Sequence, residues 1–185
     1  PQQQAWIRTI SAWFLQQGIA AFTMDEIAAK LQVSKATLYK YYASKEEILD
    51  EVVRTKLSEI EAFEPQLADD ETGFTERYFE VIKSAALMLA EFSSQFLQDI
   101  KQKYPELWEK INAFQTRALQ AGERFYQIGI ERGILRDTLN PRLMVLMDKM
   151  FIAAAANQHF LRECNLQLRE AVDGFYEMKS KGIFR

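Results

Sequence analysis

Three helix starts are written into residues 23 to 47. Thr23 stands before Met24, Asp25 and Glu26; Ser34 before Lys35, Ala36 and Thr37; Ser44 before Lys45, Glu46 and Glu47. A Ser or Thr hydroxyl at such a position accepts from the backbone N–H three residues on. A glutamate there accepts in turn from the cap's own amide. Thr23 with Glu26 and Ser44 with Glu47 carry both halves of this box, and Ser34 carries the cap alone. Apolar staples bracket the first two starts, Phe22 with Ile27 and Val33 with Leu38. Starts this close together leave room only for short helices and tight turns. The second helix is expected to end near Lys30 or Leu31, the third to cover Lys35 to Tyr41, and the fourth to run over 45–62. Ahead of them, Trp6, Ile7, Ile10, Trp13 and Phe14 recur at three- and four-residue spacing. They predict an amphipathic helix stopped by Gly18 in a left-handed conformation. Three or four residues join the second and third helices, which is helix-turn-helix spacing.

Beyond Phe63 the pattern lengthens. "EPQLADDETG", residues 64–73, reads as an acidic loop. Helices are then expected over 74–92 and 94–103, from Pro105 to a stop at Gly133, from Asn140 and Pro141 to about Cys164, and over 167–179. Seven glycines and four prolines in 185 residues are too few for a many-turned β architecture. The fold class is therefore all-α, with about nine helices. A three-helix helix-turn-helix domain over 1–47 is followed by a larger helical domain over 48–185, with the fourth helix linking the two.

The stretch "VSKATLYKYYASKEE", residues 33–47, holds three lysines and three tyrosines, and no acid stands between Glu26 and Glu46. The whole chain carries a formal net charge of −3. Such a balance argues against nucleic-acid binding over the whole surface but leaves a local basic face open, because salt screens charges beyond roughly 8–10 Å. Duplex DNA is held through phosphate neutralisation and read in the major groove by the N-terminal part of a single helix. A reading helix should be short, capped and free of carboxylates, with lysines, hydroxyls and small side chains outward. Here Leu38 points inward, toward Ile27 and Ala28, while Lys35, Ala36, Thr37, Tyr39 and Lys40 point outward. Alone, such a stretch is more often a solvated lysine face. Two short capped helices at helix-turn-helix spacing, followed at once by a third cap, favour the DNA-reading function.

The run "GIAAFTMDEIAAKLQVSKATLYKYYASKEEIL" resembles the N-terminal domain of the tetracycline-repressor (TetR-like) family of bacterial transcriptional regulators over roughly residues 5–54. The remainder is similar in helix number and order alone. The resemblance implies roles position by position. Thr23 would meet a phosphate through its hydroxyl and the helix amides, Tyr39 would place its hydroxyl on the DNA backbone, and Lys45 would hold a phosphate. Lys35, Ala36, Thr37, Lys40 and Tyr41 would face the groove of double-stranded DNA, the lysines toward guanine acceptors and the Ala36 or Thr37 methyl toward thymine. Tyr42 stands where the family usually has Phe, and is assigned to packing with its hydroxyl at the surface. Gln32 stands where the turn usually carries glycine, so a left-handed residue and a slightly altered turn are expected.

The resemblance also implies a homodimer on the last two long helices, reading a palindromic operator, with Phe160, Leu168, Val172, Phe175 and Tyr176 as seam candidates. It implies a small-molecule effector, apolar or amphipathic, that releases a repressor. Its candidate pocket residues are Phe92, Phe96, Trp108, Phe114, Phe125, Met147 and Phe151, with His159 supplying polarity. Each aromatic has a plainer alternative in the helical core. A different reading keeps the same head but places it on an architectural factor controlled by a protein partner. A third makes the chain a helical scaffold with no DNA role.

Catalysis finds no support. One histidine and the single Cys164 make neither a metal cluster nor a backed-up triad, and no phosphate-cradling glycine loop occurs. No cofactor and no metal are expected. The lone cysteine fits a reducing, cytoplasmic setting. No charged-then-apolar leader opens the chain, and apolar runs such as "MFIAAAA" fall far short of the ~20 residues that span a bilayer.

Overall fold

Caps set where the helices begin. The structure, a computed structural model, describes residues 2–61 and 73–183, and the acidic segment expected over 64–73 lies outside them apart from Gly73. Ten α-helices occur among the described residues: α1 Gln2–Gln17, α2 Met24–Lys30, α3 Lys35–Tyr39, α4 Lys45–Glu61, α5 Phe74–Leu89, α6 Ser94–Lys103, α7 Pro105–Glu131, α8 Pro141–Ala156, α9 Gln158–Glu163 and α10 Leu168–Ile183. A 3-10 turn, Ile19–Ala21, lies between α1 and α2. The described chain is all-helical, and none of these helices is long and apolar enough to cross a membrane.

Two compact units divide the chain. The first comprises residues 1–59 and 91–112, the second 60–90 and 113–185, so α4 and α7 contribute residues to both. In the first, Ile7, Ile10 and Phe14 of α1, Ile27 of α2, Leu38 of α3 and Ile48 of α4 close one core. Fully burying a side chain such as Leu38 is worth about 1.5–3 kcal/mol, which is how a five-residue helix is held in place. Phe96 and Ile100 of α6 complete the core. Gly18 stops α1 at φ 84, ψ 159, an extended mirror conformation that glycine adopts freely and not the left-handed helical one expected. A β-carbon there would also stand 2.8 Å from Gln95 Cγ.

In the second unit, α5, α7, α8 and α10 enclose Phe74, Tyr78, Phe125, Tyr126, Leu135 and Val145. Gly129 is required by contact: a β-carbon would meet Phe74 Cζ at 2.5 Å. Gly133, at φ 69, closes α7 as expected. Asn140 caps α8 by accepting from the Leu143 amide at 3.1 Å, with Pro141 in the first turn. The single helix expected over 141–164 is divided. Asn157 takes an extended conformation, and its side chain accepts from the amides of His159 and Phe160. An asparagine side chain offers these amides the partner that a continuing helix would supply. The described residues therefore hold one helix more than the nine expected. The last helix also runs further than expected, to Ile183.

Candidate nucleic-acid interface

Side-chain caps open α2, α3 and α4, and at α2 the cap is reciprocal. At the start of α2 the Thr23 amide donates to Glu26 Oε2 at 2.7 Å, and the Glu26 amide donates to Thr23 Oγ1 at 3.3 Å. Burial opposes it little: the Thr23 backbone and side-chain hydrogen bonds hold the Glu26 carboxyl below its usual range. α2 then ends in a Schellman motif. The Gln32 amide donates to Ala29 O and the Val33 amide to Ala28 O, with Gln32 at φ 57. The left-handed residue expected in place of glycine is thus present. Ser34 opens α3 by accepting from the Thr37 amide at 3.0 Å. Leu38 faces the core, and Lys35, Ala36, Tyr39 and Lys40 are exposed. Thr37 is half-buried, its hydroxyl bonded to that of Ser34 at 2.7 Å. α3 contains no carboxylate, but Lys35 forms an ion pair with Asp25 of α2, both side chains largely exposed.

Other named residues are differently engaged. The Thr23 hydroxyl donates to Glu26 Oε2 at 2.8 Å. The Lys45 ammonium donates to the carbonyls of Ile19 at 3.3 Å and Phe22 at 3.0 Å, tying α4 to the turn before α2. Tyr41 lies past the end of α3, where its ring meets Trp6 edge-on at 5.2 Å. Tyr42 packs in the core as expected, but its hydroxyl does not reach the surface. The residue is 2 % exposed, and its buried hydroxyl, pushed up by burial, has Gln3 and Glu51 as its polar neighbours without a hydrogen bond of ordinary geometry. The core of the first unit buries the whole side chain, where only the ring was expected to be covered. At α4, Ser44 Oγ accepts from the Glu47 amide, while the Glu47 carboxylate accepts from Ala43, one residue before the cap.

The aromatic residues named for an effector pocket fall in different places. Phe92, Phe96 and Trp108 belong to the core of the first unit. Phe125 and Phe151 lie in the second, where Phe151 stacks on Phe175 at 3.8 Å, and Phe114 is half-buried. Met147 is exposed, and so is His159, which pairs with Glu163 one turn on. Of the seam candidates, Val172 is buried, Leu168 packs beside it, and Phe175 and Tyr176 contact Phe151 and Phe79. Phe160 is exposed. The larger exposed apolar set is elsewhere: Leu143, Leu146, Met147 and Met150 on α8, and Met178 on α10.

Sequence reasoning missed a buried polar cluster in the second unit. Lys179 donates to Asp148 Oδ1 and to the Tyr126 hydroxyl, and the hydroxyls of Tyr78 and Tyr126 donate to the same carboxylate. Burial pushes the Asp148 carboxyl up against the pull of Lys179, and pushes the Lys179 ammonium down. A signal existed. Asp148 falls four residues after Met144 and four before Ile152, and Lys179 seven after Val172, so both stand in apolar register.

A short capped helix, carboxylate-free and outward-facing, set by a tight turn against a second capped helix, defines a helix-turn-helix DNA-binding protein. Residues 7–52 match the pattern of the family described as bacterial regulatory proteins, tetR family, and over that stretch the chain is similar to a TetR-family helix-turn-helix transcriptional regulator. That family is non-enzymatic. The chain is 29% identical over 100 residues to the HTH-type transcriptional regulator YvaF of Bacillus subtilis (strain 168). That match spans 54% of this chain and 52% of YvaF, about half of each. Two solved structures share the fold over nearly their whole length. The ketosteroid transcriptional regulator KstR2 of Mycobacterium tuberculosis superposes with a TM-score of 0.74 at 17% identity, covering 100% of this chain and 96% of that one. The transcriptional regulator FadR of Bacillus subtilis, solved with stearoyl-CoA, gives 0.71 at 22% identity, covering 98% and 99%. No group of three or more metal-ligating side chains converges among the described residues.

Proposed function

We propose that this regulator is a homodimeric, cytoplasmic repressor whose α3 enters the major groove at each half of a palindromic operator. The observation that carries this is α3 itself: five residues, capped by Ser34, fixed by Leu38, presenting Lys35, Ala36, Tyr39 and Lys40 to solvent. In this reading Lys35 and Lys40 take guanine acceptors, and Ala36 and the Thr37 methyl approach thymine. Tyr39 bonds the DNA backbone. Thr23 and Lys45 act at phosphates only after exchanging their present partners, Glu26 and the Ile19 and Phe22 carbonyls. Tyr41 contributes at the end of the helix and not from its face.

The proposed dimer seam runs along the exposed apolar stripe of α8, Leu143, Leu146, Met147 and Met150, with Met178 and Phe160 beside it. Leu168, Val172, Phe175 and Tyr176 support that seam from within. The proposed effector is apolar or amphipathic and occupies the second unit near Phe125 and Phe151. The stearoyl-CoA complex of FadR supports a ligand of that character. Such a ligand releases DNA only by binding the DNA-incompetent state more tightly. Selection from random duplex DNA with the purified protein tests the reading. A two-fold symmetric consensus is expected; enrichment of no sequence at low salt by a folded protein would overturn it.

A further inference from the structure

With only five residues, α3 cannot fix its own exit. A helix this short is unstable alone in water, because its nucleus orders several residues for each hydrogen bond gained. Leu38 anchors its middle in the core. Lys40 then ends it at φ −69, ψ −25, and the amides of Tyr41 and Tyr42 both donate to the Leu38 carbonyl at 3.0 Å. From there the two tyrosines diverge: Tyr42 turns into the core, and Tyr41 stays 46% exposed. Where Lys40 and Tyr41 stand therefore depends on what grips the chain just past the helix.

That grip comes from the start of α1. Trp6 is 7% exposed and belongs to the core of the first unit, so its own ring is enclosed. The Tyr41 ring meets it edge-on, with centroids 5.2 Å apart and planes at 85°. Aromatic pairs prefer this geometry and gain from it beyond the area they bury. Gln3, one turn earlier in α1, neighbours the Tyr42 hydroxyl. A second tryptophan of the same helix gives a comparison. Trp13 lies seven residues on, near the same face. It stacks on Phe22, just before the α2 cap, at 6.0 Å, and lies under the ammonium of Lys30, the last residue of α2, at 5.2 Å. Trp13 thus meets the two ends of α2, and Trp6 the exit of α3.

We infer that Trp6 is a positioning residue for DNA reading: through the Tyr41 ring it fixes the exit of α3, and with it the base contact of Lys40. The inference rests on α3 being the reading helix. Lys40 lies between Leu38, held in the core, and Tyr41, held on Trp6, so its backbone follows both. A specific contact needs its supporting backbone held within about 0.5 Å. Lys35 sits at the opposite, capped end of α3, where Ser34 sets the backbone and Asp25 meets the ammonium. Its contact should not depend on Trp6. The consequence is selective: loss of the Trp6 ring blurs the reading by Lys40 and leaves that by Lys35.

Two measurements on the full chain test it, each well below the melting temperature of the variant used. The first is amide hydrogen exchange by NMR without DNA. Trp6→Leu is expected to lose protection at the Tyr41 and Tyr42 amides by about three- to tenfold, the range such ring pairs contribute. The Thr37 amide, held by the Ser34 cap, should be unchanged. Trp6→Phe should restore most of the loss, because a phenyl ring still offers Tyr41 an edge-to-face partner. If Trp6→Leu does not fold, Tyr41→Ala removes the same contact from its exposed side and must give the same pattern at Tyr42. No loss, equal loss at Thr37, equal loss in Trp13→Leu, or no recovery in Trp6→Phe would each overturn the inference. The second is competition among single-base variants of the selected operator. At the base pair where Lys40→Ala loses discrimination, Trp6→Leu should lose about three- to tenfold, and where Lys35→Ala loses it, Trp6→Leu should match the parent. Uniform loss at every position would leave Trp6 a stability residue alone. A parent protein that selects no operator would sink the operator reading, and the exchange data would still decide whether Trp6 holds the exit of α3.

Discussion

Lys179 and Asp148 meet at 2.5 Å with 1% and 8% of their side chains exposed, two helices of the second unit joined through an ion pair inside an aromatic shell. The Lys179 ammonium also lies 5.1–5.4 Å from the ring centres of Tyr126, Phe175 and Tyr78. Two opposite charges in such a place are costly to bring out of water, and their attraction offsets that cost only when the remaining donors and acceptors are also met. Here they are, because both tyrosine hydroxyls donate to the carboxylate.

Removing one partner should therefore be worse than removing both charges. Lys179→Met leaves Asp148 buried and uncompensated, and is expected to cost about 3–5 kcal/mol. Adding Asp148→Asn removes the stranded charge while keeping an acceptor for a tyrosine hydroxyl, and should recover most of that loss. Urea denaturation of the two variants measures both terms. A double variant less stable than Lys179→Met would show that the pair contributes net stability as a pair.

Acid sensitivity should trace partly to Asp99 in the first unit. Burial raises its carboxyl, but hydrogen bonds from Lys103 and Gln95 outweigh burial and hold it below the usual 3.8. The folded state thus binds this proton less readily than the unfolded chain. The stabilisation is fully present above about pH 3.8 and is lost as the pH falls through the lower folded-state value. Asp99→Asn should be less stable at neutral pH and should lose less stability between pH 5 and pH 2. Parallel acid titrations of stability in the two proteins would refute the assignment.

What could be read from the sequence follows the range of the interaction responsible. The caps at Thr23, Ser34 and Asn140 and the stop at Gly133 depend on groups within a few residues of each other, and the structure places helix ends there. The same chemistry at Asn157 was hidden, because it interrupts a run of alanines and apolar residues whose periodicity carries on across it. Asp148 and Lys179 pair across 31 positions, and only tertiary packing shows that each is the other's partner. The head's outward face was legible from Leu38's inward register. The engagement of Lys35 by Asp25 and of Lys45 by two carbonyls was not, because a lysine side chain reaches any of several neighbours from the same backbone position.

Gln32 tests how much the turn pays for lacking glycine. At φ 57 a residue with a β-carbon is strained by roughly 1 kcal/mol, while glycine is not. Part of that gain is returned as the greater freedom of glycine in the unfolded chain. Gln32→Gly is expected to raise stability by about 0.5 kcal/mol, read as a modest rise in melting temperature. A fall would mean that the Gln32 side chain makes a compensating contact.

The Asp25–Lys35 pair lies where α3 would meet DNA, so it competes with the groove. An exposed pair of this kind is worth about 0–1 kcal/mol. Freeing the lysine with Asp25→Asn should tighten operator binding about two- to fivefold. Lys35→Ala should instead weaken it and, if the ammonium displaces counterions, lower the slope of log affinity against log salt by about one. Fluorescence anisotropy across a salt series reads both. Asp25→Asn binding no more tightly, with Lys35→Ala unchanged, would remove Lys35 from the interface.

The dimer seam gives the sharpest separation between fold and assembly. Leu143, Leu146, Met147 and Met150 recur at the three- and four-residue intervals of a helix seam, and Met150 is 73% exposed in the protomer. Because these side chains make little of the protomer's own core, charging them should spare the fold. Leu146→Glu with Met150→Glu is expected to keep helical content and melting near the parent values while yielding a monomer by light scattering. A dimer's two heads bind a palindromic operator together, and a monomer loses that linkage, so operator affinity should fall by at least about a hundredfold. By contrast Val172→Ala, which hollows the protomer core, should destabilise the fold before it changes assembly. If the double glutamate variant remained dimeric, the α8 stripe would not be the seam.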